Sequence, residues 1–335
     1  MQEETLDILR KNLYDLPAKG EIIFQEGEHN FFSQALKEFA QAVSEAAGGK
    51  ISVSMKKSGS SLPGFPALTI SGEHSRNIHY LALPEGYELH PFIQAIKFLA
   101  PGYALLSDKV KEAITTITTP VEVRVFISHY CTNCPQVVET VIKLASVNPL
   151  VSAFIIDVHN FKELADEYHL KSVPAIVINN ELVLFGSITE EKLAELLAQK
   201  DTPLYSRELM RSLIESGLTL KAADLICHEK GREVILELFR EGDFFTRLGI
   251  LVTLEEALEK DPGAIRRMVP QLIDLLSHQD HRIRGDIADL LGKIGDPNAI
   301  PHLQKLTSDP HPEVAEASAE ALEVLLNHLD EPPKI

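Results

Sequence analysis

The alternation of apolar and polar positions changes character near residue 200. Before that point, short strand-like runs alternate with helical spacings; after it, only helical spacings remain. Leu6, Leu9, Leu13 and Leu16 open the chain on one helical face. Strand-like runs follow at 21–25, 51–55, 65–70 and 77–82, with helical segments at 31–47 and 88–99. A second series begins with a helix over 105–117. It continues with a strand at 121–128, a helix at 136–146, a strand at 150–156 and a helix at 161–168. Strands at 172–178 and 181–185 and a helix at 190–199 close it. Each series contains a strand opened by proline, Pro66-Ala67-Leu68-Thr69-Ile70 and Pro174-Ala175-Ile176-Val177-Ile178. Taken with the same element order throughout, these imply an internal duplication, with its join at Pro101-Gly102. The expected domains are 1–102, 103–202 and 203–335.

The last third repeats differently. Val269-Pro270 matches Ile300-Pro301, and Leu272 and Leu275 match Leu303 and Leu306. Ile283 matches Val314, Ala288 matches Ala319 and Leu291 matches Leu322, each pair 31 residues apart. A weaker earlier copy spans Phe245 to Asp261, with Arg247 near Arg284 and Leu254 near Leu291. Helical hairpins of this kind bury a face only against their neighbours, so about three repeats are needed.

The stretch with chemistry in it is Cys131-Thr132-Asn133-Cys134-Pro135, between the strand at 121–128 and the helix at 136–146. Two cysteines three apart can close a small disulfide ring. The first lies at a helix N-terminus, where free N–H groups and the helix dipole favour a thiolate. The second lies about one turn further on, placed to attack a mixed disulfide. Cys131 is therefore the candidate nucleophile and Cys134 the resolving thiol. Two other readings fit the same pair: half a zinc site, extended by His129 or His159, or two inert buried thiols. Cys227 reads as a buried helical thiol. Glu122, His129 and Lys56 are the candidates for handling the proton on Cys134.

The first series has Glu26-Gly27-Glu28-His29 where the second has its cysteines, so it cannot do dithiol chemistry. Those residues read as a solvated loop with helix-start acids. The alternative is that the cysteine-free copy supplies a wall or a polar group to the other copy's site. His278 and His281 read as solvated turn residues. A net charge of −17 argues against nucleic acid, whose phosphates call for a basic surface. The start, Met1 to Thr5, has no apolar signal-peptide core, and no run reaches the length of a membrane span. With three cysteines, only two of them paired in sequence, a reducing cytoplasm is the expected location.

The second series, with C-x-x-C after its first strand and a proline opening its third, resembles the thioredoxin fold. The tandem arrangement narrows this. Ser128 to Val138 (SHYCTNCPQVV), Val147-Asn148-Pro149 and Ser172-Val173-Pro174-Ala175 are similar to the N-terminal module of the alkyl hydroperoxide reductase flavoprotein. That module has two fused thioredoxin folds, only the second carrying C-x-N-C-P. Archaeal-type protein disulfide oxidoreductases share the double fold. The 31-residue repeat resembles short HEAT-like repeats of the phycobilisome-lyase type. The resemblance implies an α/β chain, two fused thioredoxin folds, followed by an all-α HEAT-like repeat domain.

It also implies a cis Val173–Pro174 bond, and a substrate surface of Tyr130, Thr132, Asn133, Pro135, Val173 and Pro174. The implied activity is that of a protein-disulfide oxidoreductase, with no cofactor beyond the Cys131–Cys134 disulfide and no metal. The implied partners are a disulfide-bearing protein, by analogy a peroxiredoxin, and a separate thioredoxin-reductase-like electron donor. Three departures qualify the likeness. No G-x-G-x-x-G fingerprint follows, so the chain is not expected to draw electrons from NADH itself. Tyr130 stands where thioredoxins have Trp. No carboxylate on the strand at 121–128 matches thioredoxin's buried Asp. In this reading the HEAT-like tail is expected to dock the electron donor or the target; the rival reading is a non-enzymatic adaptor or redox switch that uses the same array.

Overall fold

The computed structural model describes residues 3–16, 18–28, 30–57, 62–72, 77–100, 102–199 and 202–330, with 328–330 as backbone only. His29, Pro101 and the first two residues lie outside them. Contacts divide the chain into two compact units, Met1–Tyr205 and Ser206–Ile335.

The first unit starts with α1 (Glu3–Leu13). Its first half continues with β1 (Gly20–Gln25), α2 (Phe31–Ala46), β2 (Ile51–Lys56), β3 (Ala67–Ser71) and β4 (Ile78–Leu81). A 3₁₀ turn at Gly86–Glu88 then leads into α3 (Leu89–Lys97). The second half comprises α4 (Asp108–Thr115), β5 (Val121–Ile127), α5 (Cys134–Val147), β6 (Val151–Asp157), α6 (Lys162–Glu167), β7 (Ala175–Ile178), β8 (Leu182–Phe185) and α7 (Glu190–Ala198). All eight strands form one sheet, in the order β2-β1-β3-β4-β6-β5-β7-β8.

The two halves pair their strands identically. The first strand of each runs parallel to the second and antiparallel to the third, and the third is antiparallel to the fourth. These are the two fused thioredoxin folds. A parallel β4–β6 pair joins them, so that neither half leaves that edge unpaired. The duplication is not element for element. Where α6 lies in the second half, the described residues between β2 and β3 contain no helix. The intervening Lys57-Ser58-Gly59-Ser60-Ser61-Leu62-Pro63-Gly64-Phe65-Pro66 has glycine, serine and proline in place of an apolar helical spacing.

The inner strands β3, β4 and β7 are buried at every position; β7 is an unbroken apolar run, and the buried polar pair of β3 and β4, Thr69 and His79, is bonded at 2.9 Å. Under α6, Phe126, Phe154, Ile156, Tyr168, Ala175 and Val177 form one continuous core. A buried asparagine, Asn77, holds the joint, and a second, Asn148, braces the second half beside it. The Asn77 side-chain amide donates to the carbonyls of Ala145 and Val151 at 2.6 Å each, and its backbone carbonyl accepts from Ala153 N at 2.7 Å. Asn148 donates to Ile114 O at 2.8 Å and accepts from Leu150 N at 2.9 Å.

The second unit is helical: α8 (Pro203–Glu215), α9 (Thr219–Ile226), α10 (Glu229–Glu241), α11 (Phe244–Lys260), α12 (Pro262–Arg266), α13 (Val269–Leu275), α14 (His281–Ile294), α15 (Ile300–Leu306) and α16 (Pro312–Asp330). The repeat read from the sequence maps onto α13–α14 and α15–α16. Pro270 and Pro301 sit in the first turn of α13 and α15, where a missing N–H costs nothing. Ala288 and Leu291 are buried, but their matches Ala319 and Leu322 are exposed and half-buried, because no described helix covers that face of α16. Gly292 lets α14 close onto α16: a Cβ there would come within 2.8 Å of the Ala321 Cα. Arg284 forms a two-pronged bond to Asp309, 2.9 Å to each oxygen, and caps the His278 carbonyl at 2.8 Å.

Two sequence expectations need correction here. His281 is not a solvated turn residue; it opens α14, and its ring stacks on His311 at 4.3 Å between centroids. Cys227 is half-buried at the C-terminal cap of α9 rather than buried, with its thiol directed at the Ala223 carbonyl. Among the described residues no helix is long and apolar enough to cross a membrane.

Candidate active site

Three parallel strands, β4, β6 and β5, end together, and the segments that leave them converge. After β5 the chain turns tightly, Cys131 N donating to Ser128 O at 3.0 Å, and enters α5. Cys131 and Cys134 are joined in a disulfide, their Cα atoms 5.5 Å apart. The helix begins at Cys134, so Cys131 belongs to the preceding turn and Cys134 opens the helix rather than lying one turn inside it. Pro135 supports that start, since its fixed φ suits the first helical turn. The two sulfur-bearing residues differ in access: Cys134 is fully buried and Cys131 is half-buried.

Thr132, Asn133 and Tyr130 are exposed around the pair, and Pro135 is half-buried. Tyr130 is 87% exposed, its ring edge-on to His159. The Val173–Pro174 peptide is cis, as is Phe65–Pro66 in the cysteine-free half. Pairing of Ala175 with Phe126 places Pro174 at the end of β5, on the cysteine side of the sheet. Gly186 N donates to Pro174 O at 2.9 Å, which ties the start of the β8–α7 turn to the same place.

The titratable groups nearby form a cluster that only the fold assembles. Asp157, the last residue of β6, is wholly buried and accepts from the backbone N–H of His159 and Asn160 at 2.7 and 3.3 Å. His129 Nε2 lies 2.9 Å from the other Asp157 oxygen, an ion pair at hydrogen-bond distance but off hydrogen-bond angle. The Asp157 contact, with the further charges of Glu88 and Glu85, raises His129 above the ordinary imidazole value against the effect of burial. Burial works to raise Asp157, but His129 and the two N–H groups outweigh it and hold the carboxyl low.

The third member, Glu88, comes from the cysteine-free half, from the 3₁₀ turn that packs against α5. It is 1% exposed, and neither of its oxygens has a hydrogen-bond partner. Burial pushes its carboxyl up to about 7, with Asp157 pushing further and His129 pulling back.

The sequence candidates sort accordingly. Of the three named for the proton on Cys134, His129 lies beside the site. Glu122 pairs with Arg124 near the opposite end of β5. Lys56 is exposed on the edge strand β2. Glu26 and Glu28 follow β1, four strand positions from β5 or roughly 19 Å away, and form no wall of this site. The cysteine-free half does supply a polar group, but that group is Glu88. Its signal lay in the β4–β6 joint: once those strands pair, the segment after β4 must fall beside the end of β6. Among the described residues no three His, Cys, Asp or Glu side chains are grouped to hold a metal ion.

Comparison with known proteins agrees with this geometry. Residues 121–198 match the thioredoxin domain family and residues 260–323 match the HEAT repeats. The NTD_N/C domain of alkylhydroperoxide reductase AhpF from Enterococcus faecalis superposes on 59% of the chain and 100% of its own length, with a TM-score of 0.53 and 23% identity. The chain is a tandem thioredoxin-fold module followed by HEAT repeats. A protein disulfide oxidoreductase from Aeropyrum pernix shares the fold of the tandem module, with a TM-score of 0.52 and 20% identity over 59% of this chain and 92% of that one. In sequence, the F component of the alkyl hydroperoxide reductase of Pseudomonas aeruginosa is 28% identical over 39% of the chain and 25% of its own length. The chain spans about a quarter of the length of the curated relatives it matches. Thioredoxin-fold kinship and the bonded cysteine pair together point to redox function.

Proposed function

We propose that the chain is a cytoplasmic protein-disulfide oxidoreductase whose redox group is the Cys131–Cys134 pair itself, with no bound cofactor. The observation that carries this reading is the unequal access of the two bonded cysteines at the convergence of three strand ends. In the reduced form Cys131, as thiolate, attacks one sulfur of a partner disulfide. A mixed disulfide forms and the partner's other sulfur leaves as thiolate and takes a proton. Cys134 then gives up its proton and attacks the Cys131 sulfur. The partner leaves as a dithiol with two more electrons, and Cys131–Cys134 is oxidised. A separate thioredoxin-reductase-like dithiol returns the electrons.

Glu88, ionised for part of the time near pH 7 and buried beside α5, is the group suited, as carboxylate, to take the Cys134 proton. Tyr130, Thr132, Asn133, Pro135, Val173 and Pro174 face the partner's chain around the exposed side of the pair. The relatives' name, alkyl hydroperoxide reductase, favours a peroxiredoxin as that partner. Pre-reduced full-length chain should reduce a protein disulfide stoichiometrically, and Cys131→Ser should abolish this. Activity retained in Cys131→Ser would sink the reading.

A second reading, the adaptor or redox switch, is favoured by one surface. Phe244, Phe245, Leu248 and Val252 are exposed on α11, three of them one turn apart on a single face. That stripe suits the docking of a partner protein. Capture of a partner that survives Cys131→Ser but is lost in Leu248→Glu would favour the adaptor. Capture that also depends on the oxidation state of the pair would favour the switch.

A further inference from the structure

A cavity of about 360 Å³ opens between one face of α5, the helix that begins at Cys134, and the turn into α7. Gln136, Glu139, Thr140 and Lys143 form its α5 wall, at the i, i+3, i+4, i+7 spacing of a single helix face. The residues 187–190 form the other wall, immediately after Gly186, whose N–H is bonded to the Pro174 carbonyl. One wall of the cavity is thus the helix that begins at Cys134, and the other follows the residue tied to Pro174.

Its charges are unequally satisfied. Lys143 Nζ bonds Glu190 at 2.8 Å. Among the described residues Glu139 has two distant ion contacts, Lys143 and His90, each at 3.8 Å, and no hydrogen bond. Two carboxylates face one ammonium there, and the carboxylate with spare acceptor capacity is Glu139. A guest carboxylate would meet Glu139 and Glu190. A guest guanidinium or ammonium would complete Glu139, and a guanidinium could do so through two parallel bonds.

We propose that this cavity is a specificity subsite for a basic side chain, arginine or lysine, flanking the cysteine of the disulfide that the protein reduces. The inference rests on the dithiol reading above. Spacing sets the register. The partner's sulfur bonds Cys131, whose Cα lies 5.5 Å from that of Cys134. Glu139 lies five residues beyond Cys134, about 7–8 Å further along the helix axis. An extended partner chain covers that span in about two to four residues, and its side chains two apart share a face. The basic residue therefore belongs two or four positions from the partner's cysteine.

The test uses pre-reduced full-length protein and three peptide disulfides, identical except for Arg, Ser or Glu at the positions two and four residues from the cysteine on either side. The second-order rate constant for reduction is measured at low salt and again at 0.5 M NaCl. The Arg peptide should react about fivefold faster than the Ser peptide, the effect of one partly exposed charge pair, and the advantage should shrink with salt. Glu139→Gln should abolish the preference and Glu139→Lys should reverse it toward the Glu peptide. Lys143→Met, which leaves both carboxylates unopposed, should enlarge it. Equal rates for all three peptides, or the same preference in every variant, would overturn the subsite and leave the dithiol reading standing. If the wild-type protein reduced none of them, the dithiol reading would be overturned and the subsite with it.

Discussion

Replacing Glu88 by Gln keeps the size of the side chain and removes its charge. In the folded chain Glu88 is 1% exposed, unbonded, and raised from 4.5 to about 7 by burial. The fold therefore binds that proton more tightly than the unfolded chain does. The stability associated with protonated Glu88 is fully present below about pH 4.5 and is lost as pH rises through about 7. The gap corresponds to about 3 kcal/mol once Glu88 is ionised in both states. Part is returned, because the Glu88 charge helps to hold the proton on His129.

The expected outcome is a Glu88→Gln chain that gains about 2–3 kcal/mol relative to wild type between pH 4.5 and pH 8.5. Urea unfolding of the oxidised protein, followed by circular dichroism at both pH values, measures it. Hydrogen exchange of the β4 and β6 amides assigns the change to the first unit. The readout is the difference between the two pH values, since a packing cost of the amide is common to both. A pH-independent difference, or a variant that loses ground at pH 8.5, would refute the argument and mean that Glu88 is ionised and paired.

Other consequences are equally direct. His129 should titrate above 6.5 in a histidine NMR titration and fall back in Asp157→Asn, with its contribution to stability present below 6.5 and lost as pH rises through the folded value. Gly292→Leu should cost the helical unit about 2–4 kcal/mol in thermal unfolding, because Ala321 leaves no room for a side chain. Gly285→Ala, on the same helix with no atom closer than 4.0 Å to the new Cβ, should instead add about 0.5–1 kcal/mol.

What the chain declares locally is readable in advance, and what it declares by pairing is not. The run at 121–128 announces β5 by the alternation of Val121, Val123 and Val125 with half-buried Glu122 and Arg124, and the run at 172–178 announces β7, which is apolar at every position. The 31-residue spacing of Pro270 and Pro301 announces the helical hairpins because each repeat solves the same packing problem. Cys131 and Cys134 are a local signal too. Glu88, by contrast, lies in an unremarkable segment, Gly86-Tyr87-Glu88-Leu89. Nothing in that segment shows that β4 will pair with β6 and carry it to the cysteine end of the sheet. Glu26 and Glu28, which occupy the equivalent place in the other copy and read as loop residues, lie four strand positions away from β5. His129 was readable only as a candidate, because its partner Asp157 is 28 residues away in sequence and meets it only when β5 lies beside β6.

The central claim is that Cys131 and Cys134 cycle between dithiol and disulfide. Equilibrating the Cys227→Ser chain in graded thiol buffers, and counting free thiols by mass shift, tests it most directly. A reversible two-electron couple between about −270 and −180 mV is the predicted result, within the range of dithiols that exchange with protein partners. A pair that never opens across that range, or that opens without re-forming, would contradict the account and leave the α11 surface as the basis for function.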